Sequence, residues 1–186
     1  AILSTAQIVT LSTAQIQNLS TSLVSGLSTS QVLALTSDQV NVLSTKQVVA
    51  LGSKHIAAMN TLAISILSSE QLKVMNSSQL SAMTTDQIVA LTSIQISKLS
   101  TSQLSSLTAA QIRVFETDDL LSLSTLQLSK LTTGQLNGLT TDQISLITTG
   151  QLSGLGTGQI SFLNSAQIVA LTTEQVSNFN SSQISS

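Results

Sequence analysis

The chain contains no cysteine, proline, tryptophan or tyrosine, and only one histidine. Without cysteine there is no disulfide framework, no thiolate metal site and no cysteine nucleophile. The single histidine, His55, excludes a multi-histidine metal site within one chain. Cysteine and histidine, two common side chains of catalytic and metal sites, are therefore absent or present only once.

Charge is also scarce, because 8% of the residues are charged against roughly a quarter in an ordinary globular domain. Six Lys and Arg residues face eight Asp and Glu residues, which leaves a net charge of −2. This is too little positive charge to neutralise many phosphates, so we expect no nucleic acid partner. Ser, Thr and Gln interrupt every apolar stretch well before the roughly 18 residues that a spanning helix needs, so we also expect no membrane insertion.

The sequence consists of an eight-residue repeat. From Leu3 to Ser186 the period continues through 23 octads without an insertion or deletion. We name the octad positions a to h, starting from Leu3. No linker interrupts the repeat, and we predict one array over residues 1–186 that is part of a longer chain.

Each octad position has its own preference. Position a is Leu, Met, Phe or Ile and position f is Ile, Val or Leu, so we predict that both rows face a core. Except for Glu116, position b carries only Ser, Thr, Asn or Gly, the residues preferred at a helix N-cap. Position e is Gln in 19 of 23 octads, and the exceptions are Leu23, His55, Ala63 and Asp119.

Positions b and e together form a capping box. In the first octad the Ser4 hydroxyl can accept from the N–H of Gln7, and the Gln7 side chain can accept from the N–H of Ser4. Leu3 and Ile8 then occupy the two positions of a hydrophobic staple. Each octad is therefore predicted to start a very short helix. A single Gln→Ala change at position e is therefore expected to cost little, about 1 kcal/mol for one capping bond.

Periodicity excludes two simpler folds. Along a continuous helix, eight residues at 100° each overshoot two turns by about 80°, so the apolar stripe would wind around the helix. In a flat strand, the odd spacing between rows a and f would place them on opposite faces. We predict an all-α solenoid with one very short helix per octad, and a β-solenoid with a turn at positions b and c is the alternative.

Two features of the array could carry chemistry. Glu116, Asp118 and Asp119 form the densest acidic cluster, and three carboxylates could hold a cation such as Ca²⁺. The glycine turn and spacing of an EF-hand loop are missing, and Asp is also common in the first turn of a helix. His55 replaces a repeat Gln, with no second histidine or serine–histidine–acid order beside it. We therefore predict no catalytic, cofactor-binding or metal residue and no enzymatic activity.

The unusual apolar and glycine positions are also not expected to form a binding site. Leu62, Ala63 and Ile64, like Leu120 and Leu121, are expected to be irregular packing or contact patches and not to line a ligand pocket. The glycines follow no phosphate-loop pattern, and we expect them to occupy cap or surface positions (Gly134, Gly150, Gly156 and Gly158). We expect no small-molecule substrate and no cofactor.

The octads LSTAQIVT, LTTDQISL and LTTEQVSN resemble the LTxxQIxx tracts of very large secreted or surface-attached bacterial proteins. The resemblance covers the whole chain and implies a structural role outside a bacterial cell or at its surface. The opening of the TAL-effector repeat is similar over a few residues. Those repeats are about four times longer and use basic residues that this chain lacks, so only the helix-start chemistry is carried over.

We predict a structural protein, in which stacked octads form a rod, filament or tube wall as a homo-oligomer or homopolymer. Neither end of the array, at Ile2 and Ile184, has the polar cap that closes a solenoid, which favours a longer parent chain or assembly. An extracellular binding module, such as an adhesin stalk or an ice-binding or carbohydrate-binding array of Ser and Thr hydroxyls, is the alternative.

Overall fold

The structure is a computed structural model that describes residues 3–186, so Ile2, the first of the two open ends, lies outside it. These residues form 23 short α-helices, one per octad, and no strand. The predicted all-α solenoid is confirmed and the β-solenoid alternative is wrong. The chain folds into two compact units, Ala1–Gln95 (unit 1) and Ile96–Ser186 (unit 2).

The helices are four to six residues long. The first eleven belong to unit 1: α1 Thr5–Val9, α2 Thr13–Gln17, α3 Thr21–Ser25, α4 Thr29–Leu33, α5 Ser37–Asn41, α6 Thr45–Ala50, α7 Ser53–Ala58, α8 Thr61–Ser65, α9 Ser69–Lys73, α10 Ser77–Ser81 and α11 Thr85–Val89. Helix α12, Ser93–Ser97, contains the boundary between the units. The last eleven belong to unit 2: α13 Thr101–Ser106, α14 Ala109–Arg113, α15 Thr117–Ser122, α16 Thr125–Ser129, α17 Thr133–Gly138, α18 Thr141–Leu146, α19 Thr149–Ser153, α20 Thr157–Ile160, α21 Ser165–Ala170, α22 Thr173–Ser177 and α23 Ser181–Ile184.

The sequence of each octad explains where its helix starts and ends. Position b is the N-cap and is extended, as at Ser4 (φ −76°, ψ 164°), and its hydroxyl accepts from the N–H of Gln7 at 3.2 Å. At the other end the N–H of Leu11 donates to the carbonyl of Ile8 at 3.2 Å, which closes the last turn. The next N-cap follows directly, so a bend separates each helix from its successor.

Helices stack at a fixed interval in each unit. Helix α1 packs against α4 and α2 against α5 in unit 1, and α13 packs against α16 and α14 against α17 in unit 2. Most hydrogen bonds between stacked turns join residues 28 to 31 apart, as from Gln39 to Leu11 and Ile8, and a few join residues 25 or 27 apart. One turn of either solenoid therefore takes between three and four octads.

Rows a and f form the core, as predicted. Row f is buried from Ile8 to Ile160, and row a is buried from Leu35 to Leu163. In the first turn row a is partly exposed, whereas in the last turn row f is exposed. Row a thus packs on the preceding turn and row f on the following turn.

Candidate functional site

The most regular polar feature of the molecule is the row of glutamines at position e. The Oε1 atom of every one of the 19 glutamines accepts from the N–H of the N-cap residue of its own helix, at 2.6–3.1 Å. This bond is half of the capping box, and its prediction from the sequence is confirmed. This bond stabilises the first turn of each helix.

The other end of the same amide reaches the preceding turn. In unit 1, seven glutamines donate Nε2–H to the row a carbonyl 28 residues earlier, at 2.5–2.9 Å. In unit 2, eight glutamines make the same bond at 2.7–2.9 Å. Many of these amides also donate to the row f carbonyl 31 residues earlier. We call this set of inter-turn bonds the glutamine ladder.

Gln87 shows the complete arrangement. Its Oε1 accepts from the N–H of Thr84 at 2.9 Å, and its Nε2 donates to the carbonyls of Ile56 at 2.8 Å and Met59 at 2.6 Å. The side chain is 2% exposed, so both ends of the amide are satisfied away from water. Capping alone underestimates this residue, because the amide also donates to the Met59 carbonyl and adds a second bond to the Ile56 carbonyl, which accepts from the N–H of Met59.

The three residues of the acidic cluster have different environments, because they occupy different positions of the octad. Asp119 takes the place of Gln at position e, is 3% exposed, and its Oδ2 accepts from the N–H of Glu116 at 2.9 Å. Glu116 is the exposed N-cap, and Asp118 lies exposed at position d. Residues 3–186 contain no group of three or more His, Cys, Asp or Glu side chains arranged to hold a metal ion. The Asp119 carboxylate instead performs the capping role of the repeat Gln.

His55 also takes the capping role of Gln. Its Nδ1 accepts from the N–H of Gly52 at 3.0 Å, which leaves the ring proton on Nε2. The side chain is 2% exposed, and Nε2 is the one buried side-chain N or O atom in residues 3–186 without a hydrogen-bond partner. The imidazole therefore caps its helix without joining the ladder.

The apolar stretches lie partly in the core and partly on the surface. Ala63, Ile64 and Leu120 are buried, whereas Leu62 is 60% exposed and Leu121 is 43% exposed. Of the glycines, Gly134, Gly150 and Gly158 are exposed at position d, and Gly156 is an N-cap. No helix within residues 3–186 combines the length and apolar character required to cross a bilayer.

Comparison with known families identifies the repeat. The profile of the ALTTAQ repeat matches residues 24–53, 56–93, 112–149 and 144–181, which is more than half of the chain. The chain belongs to the ALTTAQ repeat family. No curated protein sequence matches it. In this chain the ALTTAQ hexapeptide corresponds to positions h to e, as in Ala170–Gln175, which reads ALTTEQ. The family signature thus ends on the glutamine that forms the ladder.

Replacing a ladder glutamine tests the inter-turn bonds. We expect Gln87→Ala to lower the free energy of unfolding by about 2–4 kcal/mol, because three hydrogen bonds are lost and the buried carbonyl of Met59 loses its side-chain donor. The control is Gln7→Ala, since Gln7 is exposed and makes the capping bond only. That change should cost about 1 kcal/mol or less. Urea unfolding measures both, and equal losses would contradict a separate role for the ladder.

Repairing the ladder should stabilise the protein. In His55→Gln, the new amide keeps the bond to Gly52, and the spacings of 31 and 28 residues aim it at the carbonyls of Val24 and Leu27. We expect a gain of about 1–3 kcal/mol in the free energy of unfolding, because a buried unpaired N–H is removed. The reverse change in a neighbouring octad, Gln47→His, should be destabilising. A loss of stability in His55→Gln would show that the imidazole fits its site better than an amide does.

Proposed function

We propose that this ALTTAQ repeat protein is a structural protein, in which stacked octads form a rod, filament or tube wall that self-associates. The observation that supports this most strongly is the repetition of the glutamine ladder through both units. A solenoid held by nearest-neighbour bonds lengthens by adding octads without any change in local structure. Such a repeat suits a structural molecule that forms an extended rod, holds other molecules apart or encloses them.

The outer surface supports self-association. Eight of the 14 charged residues lie at position d, and an ion pair joins exposed Lys73 and Glu70 at 2.9 Å. Large apolar side chains are exposed between the charges, including Leu33, Ile94 and Leu126 at 53%, 71% and 61%. A surface with so little charge resists association weakly. We extend the proposal to a location outside a bacterial cell or at its surface, on the resemblance of the octads.

The binding-module alternative depends on an ordered array of hydroxyls. Position b hydroxyls are engaged in capping, as at Thr84, whose Oγ1 accepts from the N–H of Gln87 at 3.2 Å. Position c hydroxyls such as Thr85 are exposed. However, each helix packs against the helix three octads along the chain, so successive octads face different sides of a unit and any one side receives the hydroxyls of only some octads. This geometry disfavours a flat ice-binding or carbohydrate-binding face. We further propose that the protein is not an enzyme.

Assembly and its salt dependence test the structural role. We expect the purified chain to form assemblies that persist from low salt to 1 M salt. Salt at 1 M screens the attraction between charges beyond about 3 Å, whereas it does not screen apolar burial or hydrogen bonds between neutral groups. Light scattering and electron microscopy under both conditions measure this. Monomers at both salt concentrations would exclude self-association, and assemblies that dissolve in salt would assign the attraction to charge.

A further inference from the structure

Position d forms the outer ridge of the array, and large apolar residues interrupt this ridge three times. In the other octads position d carries Ala, Ser, Gly or a charged residue. Leu62, Ile94 and Leu126 take that place and are 60%, 71% and 61% exposed. Packing within the solenoid does not account for side chains that are so exposed. Exposed apolar residues that adjoin one another mark interaction surfaces in folded proteins.

In unit 1, two acidic residues border the apolar surface around Leu62. Half-buried Ile66 lies 28 residues after exposed Asp38, which is the spacing that joins stacked turns in the glutamine ladder. Exposed Glu70 follows Ile66 by four residues. Its ion pair with Lys73 is open to water, with side chains 72% and 49% exposed, and such a pair contributes little. We call this surface the acidic patch (Asp38, Leu62, Ile66 and Glu70).

In unit 2 the same arrangement recurs with the opposite charge. Leu126 lies 28 residues after exposed Lys98 and four residues before exposed Lys130. Leu121, which is 43% exposed, adds to the apolar surface five residues before Leu126. We call this surface the basic patch (Lys98, Leu121, Leu126 and Lys130). In each patch the two charged residues are thus four octads apart, with the apolar residues between them.

We propose that the acidic patch of one copy of this chain binds the basic patch of a second copy. This rests on the proposed self-association and specifies its contact. A partner that fits the acidic patch needs two cations at the spacing of Asp38 and Glu70, with apolar groups between them. The basic patch offers both, at the same offsets along the chain and in a solenoid of the same repeat. Complementary charge of this kind selects a partner and fixes its register.

The placement of the charges gives the contact a direction. Glu70 and Lys130 each follow the apolar residue of their patch by four residues, so they lie on the same side of their patches. Two such surfaces, placed face to face, bring these sides together when the two solenoids run antiparallel. The resulting contacts are Asp38 with Lys130, Glu70 with Lys98, and Leu62 and Ile66 with Leu121 and Leu126.

The apolar and charged residues contribute differently to this contact. Burial of the leucines and Ile66 supplies attraction that salt does not screen, in agreement with assemblies that persist in 1 M salt. The charges supply specificity, because two acidic patches or two basic patches would bring like charges together. Unit 1 of one copy therefore binds unit 2 of another copy and not its unit 1.

Charge reversal tests the pairing. Asp38→Lys/Glu70→Lys makes the acidic patch basic, and Lys98→Glu/Lys130→Glu makes the basic patch acidic. Each variant alone brings like charges together. We expect its dissociation constant for self-association, measured by sedimentation at low salt, to rise at least about tenfold. In an equimolar mixture of the two variants each altered patch meets a complementary one, so association should return.

Matched controls reverse the same number of charges outside the two patches. Asp142→Lys/Glu174→Lys and Lys46→Glu/Lys54→Glu produce the same changes in net charge, and all four residues are exposed at position d. Each control should associate nearly as the unmodified chain does, and urea unfolding checks that every variant folds. A control that loses as much affinity as its matched reversal would assign the loss to net charge and overturn the pairing.

Truncating the leucines separates burial from charge. Leu62→Ser/Leu126→Ser should weaken association at low salt and equally at 1 M salt. The loss caused by charge reversal should largely disappear at 1 M, where charges are screened beyond about 3 Å. Association of the serine variant as strong as that of the unmodified chain would exclude these leucines from the contact.

The outcomes separate this contact from the proposed function. If the unmodified chain assembles and both charge reversals assemble equally well at low salt, the pairing of the patches is wrong while self-association through other surfaces stands. If the unmodified chain stays monomeric at the highest concentration reached, both the contact and the proposed self-association fall.

Discussion

The glutamine amide is the group on which the rest of the structure depends. A helix of four to six residues has almost no internal hydrogen bonds, because the first four N–H groups and the last four carbonyls of any helix lack helical partners. Ladder glutamines supply hydrogen-bond partners at both ends of these helices. Their Oε1 atoms accept from an N-cap N–H, and their Nε2 atoms donate to carbonyls of the preceding turn, as Gln87 does for Thr84 and Met59. One side chain thus makes such short helices stable in a stack.

This constraint also accounts for the composition. Rows a and f must be apolar because they fill the space between turns, and position b must be a small capping residue because it ends one bend and starts a helix. Position e is an amide in 19 of 23 octads, since a carboxylate can accept at the N-cap but cannot donate to carbonyls. Charge is left mainly to the exposed position d, where eight of 14 charged residues lie. A chain built in this way has few residues with which to form a catalytic site.

Much of the fold was predictable from interactions between residues of a single octad. The capping box at Ser4 and Gln7, the two core rows and one helix per octad follow from the spacing within eight residues. The ladder was not predictable in the same way, because its spacings of 28 and 31 residues are set by how turns stack and are not multiples of eight. The only sequence signal was that Gln is much more uniform at position e than capping requires, since Glu caps equally well. The different environments of Glu116 and Asp119, one exposed and one buried, likewise follow from their octad positions and not from their distance along the chain.

The exchange of side-chain amide protons with solvent tests the ladder most directly. In an NMR spectrum with assigned glutamine side chains, the Nε2 protons of Gln87 and other ladder glutamines should exchange slowly, because they donate to buried carbonyls. The Nε2 protons of Gln7 and Gln15, for which residues 3–186 supply no acceptor, should exchange at the rate of free amides, although both residues cap their helices. Equal, fast exchange at all glutamines would contradict the claim that this amide holds the turns together.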